Sequence, residues 1–136
     1  MNSQYAIAVH ILSLVNDSPE PPSSEDMAGS VGVNPVVVRQ VTGLLRRAGL
    51  LTTQRGVPGA RLTRPAQDIS LLDIYRAVDA PEMVLKRHRK PNPACPVGAR
   101  IQGVLDDVFD QAQAALEARL AQICLSDIHQ ALAQPA

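Results

Sequence analysis

The sequence contains no tryptophan and only three aromatic residues, Tyr5, Tyr75 and Phe109, among 136. A core without aromatic rings must be built from aliphatic side chains, a composition that suits helices better than strands. Proteins that bind single-stranded RNA or DNA stack the bases on aromatic side chains. The shortage of such side chains therefore argues against a single-stranded nucleic acid as the partner.

Cysteines and long apolar runs are also scarce. Cys95 and Cys124 are the only two cysteines, too few for a disulfide scaffold or a self-sufficient metal site. No apolar run approaches the length of a membrane span, and the N-terminus lacks the basic-then-apolar order of a signal peptide. We therefore expect a cytoplasmic protein with no membrane partner. Because the chain has no GxSxG, HExxH, P-loop or dinucleotide fingerprint, we do not expect an enzyme.

Positive charge is concentrated in one segment of the chain. The 13 basic and 13 acidic residues cancel overall, but residues 33–64 contain six arginines and no carboxylate. A polyanion is the natural partner of such a segment. Since the lack of aromatic residues argues against single strands, double-stranded DNA is the polyanion that we expect.

The segment from residue 23 onward has the pattern of a short helix, a turn and a second helix. The first of these helices can begin at Ser23 or Ser24, because Glu25 and Asp26 then lie in its first turn, where the helix dipole favours acids.

The second helix of this pair has clear signals at both ends. Gly29 and Gly32 flank the place where a turn is needed, and Asn34 can cap the next helix, with Pro35 at its first position. Gly49 ends it. These residues predict a recognition helix over 35–48.

Residues of this helix divide into two faces. The inward stripe repeats at helical spacing and consists of Val37 or Val38, Val41, Leu44, Leu45 and Ala48. The residues left facing outward are Pro35, Val36, Arg39, Gln40, Gly43, Arg46 and Arg47. Arg and Gln side chains near the start of such a helix suit base edges, because their planar groups make bidentate contacts in the major groove. The small Gly43 would let the helix sit close to DNA.

After the recognition helix, residues 52–63 (TTQRGVPGARLT) predict two short strands joined by a Gly/Pro turn. This hairpin would display Arg55 and Arg61 toward phosphate or the minor groove, as a wing. The predicted DNA contacts are therefore Ser24, Asn34, Pro35, Val36, Arg39, Gln40, Gly43, Arg46, Arg47, Arg55, Gly56 and Arg61.

The second half of the chain predicts a helix, a loop and a long amphipathic helix. Ser70 can cap the helix that follows it, and the basic, proline-rich segment 80–96 cannot be helical throughout. From Val97 to about Leu125 a long helix is expected, followed by a short one capped by Ser126. One side of the long helix carries an apolar stripe, formed by Ile101, Val104, Leu105, Val108, Ala112, Ala115 and Leu116. Such a stripe implies a partner helix, although it could instead pack within one subunit.

These elements divide the chain into four parts. They are a DNA-binding domain (1–64), a connecting helix (65–82), a sensory or linker loop (83–97) and a dimerisation region with a C-terminal helix (98–136).

The sequence resembles the Rrf2 family of bacterial winged-helix regulators, which includes the iron-sulfur cluster regulator and the cysteine-metabolism repressor. The segments that carry the resemblance are YAIAVHILSL, NPVVVRQVTGLLRRAGLL, RGVPGARL, DISLLDIYRAVD and NPACPVGARIQ. The resemblance implies a mainly α fold, in which a winged helix-turn-helix domain with a short β-hairpin wing precedes a long C-terminal dimerisation helix. It also implies a homodimer, a palindromic operator and a location on the bacterial nucleoid.

The resemblance also bears on a cofactor. Family members that hold an iron-sulfur cluster look to have three cysteines in the sensory loop, and the CPVG of this chain corresponds to the last. Arg89 and Met83 stand six and twelve positions before Cys95, and Gly98 stands where some relatives offer a histidine. Because such clusters are held mainly by thiolates, we expect no cluster and no other cofactor.

Candidate sensor residues remain open to two interpretations each. Cys95 is either a redox switch activated by nearby positive charge, or a small side chain at a loop-to-helix junction. His88, within KRHRK, belongs either to a solvated basic loop or to a site for an anionic effector. We interpret His10 as structural, His129 as a surface residue and Cys124 as part of the core.

Three classes of function are consistent with these patterns. The leading one is a homodimeric transcriptional regulator, expected to be a repressor, whose effector is unknown. A second is a redox or ligand sensor that uses Cys95 and whose output is DNA binding. The third is a winged-helix module for protein assembly, which the arginine-only charge of residues 33–64 argues against.

Overall fold

The computed structural model describes residues 3–78, 84–85 and 91–135. Its helices are α1 (Gln4–Asp17), α2 (Ser24–Val31), α3 (Pro35–Arg47), α4 (Leu71–Ala77), α5 (Pro96–Ala121) and α6 (Leu125–Ala133). Strands β1 (Leu51–Gln54) and β2 (Val57–Leu62) form an antiparallel hairpin, and a 3-10 turn spans Ala66–Asp68. The predicted mainly helical chain with one hairpin after the helix pair is confirmed.

The chain forms two compact units, one of residues 1–80 with 120–136 and the other of residues 81–119. The core of the first unit is aliphatic, as the scarcity of aromatic residues predicted. Fully buried members come from four of its helices, and they include Ile11, Leu12, Val38, Leu45, Ile74 and Leu125. Because α6 supplies Leu125, the end of the chain is part of the same core as the predicted DNA-binding elements.

Helix α1 is buried on one side only, although its sequence is apolar almost throughout. Ala8, Ile11 and Leu12 are inaccessible, but Ala6 and His10 on the other side are exposed. Ser3 lies at the cap position, but its side chain makes no capping hydrogen bond. The continuous apolar run therefore concealed a solvated edge, because short apolar side chains such as alanine occupy both faces.

Helix α2 begins with a reciprocal cap. The Ser23 hydroxyl accepts a hydrogen bond from the Asp26 peptide N–H, and the Asp26 carboxylate accepts one from the Ser23 N–H, both at 3.1 Å. This arrangement satisfies two donors that the first turn leaves unpaired. The helix ends at Gly32, whose φ is +80°. The prediction that Gly29 helps to form the turn was wrong, since it lies inside α2.

Helix α3 begins where the sequence predicted and ends one residue earlier, at Arg47. The Asn34 side chain accepts a hydrogen bond of 2.8 Å from the Val36 N–H, and Pro35 is the first helical residue. Val38, Val41 and Leu45 of the inward stripe are buried. Ala48 was wrongly assigned to that stripe: it is exposed, because the helix ends at Arg47 and the chain then turns away.

The end of the chain differs from its prediction in two respects. The long helix stops at Ala121 rather than near Leu125, and Cys124, not Ser126, is the cap of α6. Two backbone hydrogen bonds of 2.8 Å hold the break, from Leu71 N–H to the Ile123 carbonyl and from Leu125 N–H to the Ile69 carbonyl. These long-range bonds compete with the helical pattern, and no local sequence signal announces them.

Candidate nucleic-acid interface

Helix α3 presents polar and charged side chains to solvent over its whole length. Arg39, Gln40, Arg46 and Arg47 are exposed, and Val36, in the first turn, is 50% exposed. A helix with one buried apolar face and one exposed face of this composition can enter a groove of DNA without unfolding any part of the core.

Gly43 is an exception among the residues predicted to face outward. It is buried, and a Cβ atom built on it would lie 3.9 Å from the Nη2 atom of Arg47. Arg47 therefore covers this part of the helix. The prediction was wrong because helical spacing gives the direction of a residue but not what a long neighbouring side chain places over it.

The wing is a tight hairpin. Leu51 pairs with Leu62, Thr52 with Arg61 and Gln54 with Val57. Arg55 and Gly56 therefore form the turn, with Gly56 at φ +79°. Both Arg55 and Arg61 are exposed, as predicted.

The predicted Gly/Pro turn was wrong, since Pro58 and Gly59 lie within β2. Gly59 has φ +98°, and any Cβ atom at this position would collide with the backbone of Pro21. The absence of a side chain lets the hairpin pack closely against the segment before α2.

One of the six arginines has a structural role. The Arg64 guanidinium donates to the Asp68 carbonyl at 2.8 Å and contacts the Asp73 carboxylate at 3.2 Å. Within the described residues the other five form no ion pair; they are Arg39, Arg46, Arg47, Arg55 and Arg61. These five guanidinium groups remain available to a polyanion.

Asp73 also fixes the start of α4. Its carboxylate accepts a hydrogen bond from the Ser70 N–H at 2.9 Å, and the Ser70 hydroxyl accepts one from the Asp73 N–H at 3.0 Å. Partial burial opposes ionisation, but the hydrogen bonds from Ser70 and the Arg64 guanidinium outweigh it and lower the pKa of the Asp73 carboxyl. The segment that follows the wing is therefore tied to α4 through Arg64.

A cleft separates α3 from the wing. It has a volume of about 340 Å³ and is lined by residues of α2, α3 and both strands. Ser24, Arg39 and Arg46 were predicted contacts, whereas Thr42 and Thr53 were not. Thr42 could have been found from its helical spacing to Arg39, but only the packing of the hairpin on α3 brings Thr53 to the same cleft.

Cys95 lies directly before α5 and is exposed. Hydrogen bonds from the peptide N–H groups of Gly98 and Val97 lower the pKa of its thiol, as expected for a sulfur at a helix N-terminus. His88 and the rest of the KRHRK segment lie outside the described residues.

The junction before α5 leaves no room for a side chain at position 98. A Cβ atom on Gly98 would collide with the Asn92 carbonyl oxygen. Asn92 is held there because its side chain accepts a hydrogen bond of 3.0 Å from the Ala94 N–H and its carbonyl accepts one of 3.2 Å from the Cys95 N–H. A ligand-bearing residue at position 98 does not fit this backbone.

Cys124 is not the core residue that the sequence suggested. It is half-buried at the cap of α6, and its sulfur lies 2.8 Å from the Ser126 hydroxyl and 3.2 Å from the Asp127 carboxylate. Backbone and side-chain hydrogen bonds from Cys124 lower the pKa of Asp127. Within the described residues, no group of three or more His, Cys, Asp or Glu side chains is placed to hold a metal ion.

The two remaining histidines line a second cavity, of about 360 Å³, between α1 and α6. His10 shares a hydrogen bond of 3.0 Å with the Ser30 hydroxyl, which links α1 to α2 and agrees with a structural role. His129 is on the surface, as predicted, and its Nδ1 atom lies 3.8 Å from the Asp17 carboxylate.

Helix α5 is mostly exposed or only partly covered in the single chain. Gln113 is its only buried residue among 26, and none of the seven members of the apolar stripe is buried. Val97 is 67% exposed, and Val104 and Val108 are each 54% exposed. The described helices include none with the length and apolar character needed to cross a membrane.

The chain is similar to known transcriptional regulators. Residues 1–131 match the family model described as "Rrf2: Iron-dependent Transcriptional regulator". A protein of Bacillus subtilis (strain 168), provisionally named the HTH-type transcriptional regulator YwnA, is 49% identical over 128 residues, which cover 94% of this chain and 96% of that protein.

Solved structures with the same fold are also found. A crystal structure provisionally described as that of a DNA-binding protein is 46% identical, with a TM-score of 0.77 over 93% of this chain and 98% of that one. IscR of T. potens, at 23% identity, has a TM-score of 0.75 over 100% of this chain and 91% of its own. The fold described above, with its helix-turn-helix, hairpin and long C-terminal helix, is therefore shared with these known structures.

Proposed function

Because the chain belongs to the Rrf2 family of transcriptional regulators, we propose that it binds a palindromic operator in double-stranded DNA as a homodimer. Family membership confirms the predictions of a winged-helix regulator and of a protein that is not an enzyme. We also propose that the protein acts in the bacterial cytoplasm, at operator sites on the nucleoid. We expect the protein to repress transcription, and a reporter gene placed behind the operator tests this expectation.

The observation that carries DNA binding is the set of five exposed arginines on α3 and the wing that form no ion pair within the described residues. On α3, Arg39 and Gln40 lie in the half that begins at the Asn34 cap. Their guanidinium and amide groups can pair with base edges in the major groove. Arg55 at the tip of the wing and Arg61 on β2 can contact phosphates or the minor groove.

Selection of bound duplexes from a random pool tests sequence-specific binding directly. We expect a palindrome, whose half-site spacing reports the geometry of the dimer. Replacing Gln40 by Ala should relax the choice at one base pair by about 1 to 3 kcal/mol, whereas Arg55→Ala should weaken all duplexes equally and flatten the salt dependence by about one unit. A protein that retains no duplex under any salt condition would instead favour the protein-assembly module.

The homodimer is supported by the uncovered apolar stripe of α5. A helix of 26 residues is about 39 Å long, and its valines at positions 97, 104 and 108 recur on one side. A second copy of the same helix would cover them, as in the packing of paired amphipathic helices. Sedimentation of the wild-type protein over a range of concentrations tests this, and a monomer at every concentration would contradict it.

An iron-sulfur cluster does not fit the donor set, although the description of the family names iron. The chain has two cysteines in total, of which Cys124 contacts Ser126 and Asp127. Position 98 cannot carry a ligand side chain. We therefore propose regulation without a cluster.

Anaerobic reconstitution with iron and sulfide, followed by metal analysis and visible absorbance, is the test of a cluster-free regulator. We expect no stoichiometric iron and the same operator affinity with and without a chelator. Iron bound at one cluster per subunit, with the corresponding absorbance, would contradict the proposal.

A second candidate function is a thiol-based sensor, favoured by the exposed Cys95 thiol and its hydrogen bonds from Val97 and Gly98. Two Cys95 thiols from two copies would lose two protons and two electrons to hydrogen peroxide, forming one disulfide and two molecules of water. Non-reducing gels and operator footprints before and after mild oxidation test it. Identical binding by Cys95→Ser and the wild type in both states would exclude the switch.

A further inference from the structure

The polar groups that line the cleft between α3 and the wing suit an anion. They are two arginines, Arg39 and Arg46, and three hydroxyl residues, Ser24, Thr42 and Thr53. The other residues that line its 340 Å³ are apolar, and no carboxylate is among them. The arginines form no ion pair within the described residues. A cleft with two uncompensated positive charges attracts a negatively charged group.

The position of this cleft follows from the shape of DNA. The major and minor grooves of B-DNA alternate along the duplex, and a phosphodiester strand separates each from the next. If α3 enters a major groove while the wing reaches the adjacent minor groove, that strand must pass between them. The space between α3 and the wing is this cleft.

The two arginines of the cleft are not equivalent. Arg39 belongs to the half of α3 that begins at the Asn34 cap, whereas Arg46 lies in the last turn. Seven residues of helix separate them by about 10 Å. When α3 lies in the major groove, Arg39 can therefore reach base edges. Arg46, farther from the start of the helix, then faces the DNA backbone at the edge of the groove.

The hydroxyl groups differ as well. The Thr42 hydroxyl donates its proton to the Arg39 carbonyl at 3.1 Å, so that this donor is already used. Thr53 on β1 is exposed and forms no side-chain hydrogen bond within the described residues. Its hydroxyl is a free donor on the wing side of the cleft, and Arg46 lines the same cleft from the α3 side.

We infer that this cleft holds one phosphodiester group of the DNA backbone between the Arg46 guanidinium and the Thr53 hydroxyl. The inference rests on the proposed DNA binding and adds to it a specific division of labour. Arg46 and Thr53 bind backbone without regard to sequence, and together they set the distance between the recognition helix and the wing.

Arg47 provides a matched control. It is adjacent to Arg46, carries the same charge and is also exposed, but it lies over Gly43 and does not line the cleft. Each arginine is replaced by Ala, alone and together with Thr53→Val, which removes the hydroxyl but keeps the size and strand preference of the residue. Circular dichroism and thermal unfolding verify that the variants are folded.

Affinity is measured for the selected operator and for a random duplex over a range of salt concentrations. Arg46→Ala should weaken both duplexes by about tenfold or more, and it should reduce the slope of log K against log salt by about 0.9. Thr53→Val should weaken both by about two- to tenfold.

The double variants test whether the two side chains share one phosphate. For Arg46→Ala with Thr53→Val, the loss should be smaller than the product of the single losses by at least about threefold, since the second change removes a partner already lost. For Arg47→Ala with Thr53→Val, the losses should multiply within about twofold.

Two outcomes separate this inference from the proposed function. If the wild-type protein binds no duplex, the proposed function fails. If it binds with a steep salt dependence, but Arg46→Ala leaves the slope unchanged or its losses multiply with those of Thr53→Val, the phosphate site is wrong and DNA binding stands. A change of base preference in Arg46→Ala would likewise assign this side chain to base edges and overturn the inference.

Discussion

Two regions of the molecule differ in how completely the chain covers their apolar surface. One is the unit that contains α3 and the wing, and the other is helix α5. The first contains fully buried side chains such as Ile11, Leu45 and Leu125, and it presents arginines outward. Helix α5 buries one residue, Gln113, and leaves valines half or more exposed. One region is completed by its own chain, and we propose that the other is completed by a second copy.

The largest test of this contrast is the double substitution Val104→Asp/Val108→Asp. Each valine is 54% exposed, so covering its remaining surface contributes about 1 kcal/mol. Two side chains in each of two subunits then give about 4 kcal/mol, or about a thousandfold in the dimer Kd. Analytical ultracentrifugation measures this, with Asp110→Asn, an exposed residue on the side of the helix away from the stripe, as the control. An unchanged Kd would show that the stripe does not form the interface.

Leu45→Ala tests the other side of the contrast. This side chain is fully buried in the core of the first unit, so its truncation should lower the free energy of unfolding by about 2 to 5 kcal/mol. Leu132, which is 70% exposed on α6, is the matched control, and Leu132→Ala should change stability by no more than about 0.5 kcal/mol. Equal effects in urea denaturation would contradict the assignment of the core.

Gly59→Ala tests how the wing is held. A side chain at φ +98° must be strained and must also displace the Pro21 backbone, which together should cost about 2 to 4 kcal/mol. Gly56 has φ +79° but open space around it, so Gly56→Ala should cost only about 1 to 2 kcal/mol. Thermal unfolding compares the two variants. A cost for Gly56→Ala as large as that for Gly59→Ala would show that contact with Pro21 does not matter.

The smallest expected effect concerns Asp73, which ties the segment after the wing to α4. The folded state lowers the pKa of this carboxyl below its usual 3.8, so its contribution to stability is present above that value and is lost as pH falls through the lower, folded pKa. Asp73→Asn should therefore flatten the acid limb of the stability curve. The control is Asp68→Asn, a nearby exposed carboxylate outside the cap. If both variants changed the pH dependence of stability equally, the contacts of Asp73 with Arg64 and Ser70 would not be its cause.

Local signals allowed the start of the interface to be predicted from sequence. Asn34, Pro35 and Gly49 fix the bounds of α3 through interactions within a few residues, and Ser70 caps α4 for the same reason. Exposure of Arg55 and Arg61 also followed from the prediction of a short hairpin that displays both side chains. Each of these predictions depends on neighbours in sequence, which is why they could be made without a structure.

Predictions that depended on distant contacts were less successful. The end of α5 and the cap of α6 are decided by backbone bonds to Ile69 and Leu71, about 50 residues earlier. Gly43 is buried because Arg47 covers it, and the wing turns at Arg55–Gly56 while Gly59 packs on Pro21. Helical spacing and turn composition contain no information about these contacts.

By itself, the sequence determined the order of elements, the aliphatic core, the concentration of arginines and the scarcity of thiol ligands, since these follow from composition and local pattern. Only the tertiary structure decided which arginines remain uncommitted, because Arg64 is paired with Asp73. Packing of the hairpin on α3 likewise brought Thr53 and Arg46 to one cleft. Charge is a property of the chain, but the distance between two charges or donors depends on how distant segments pack.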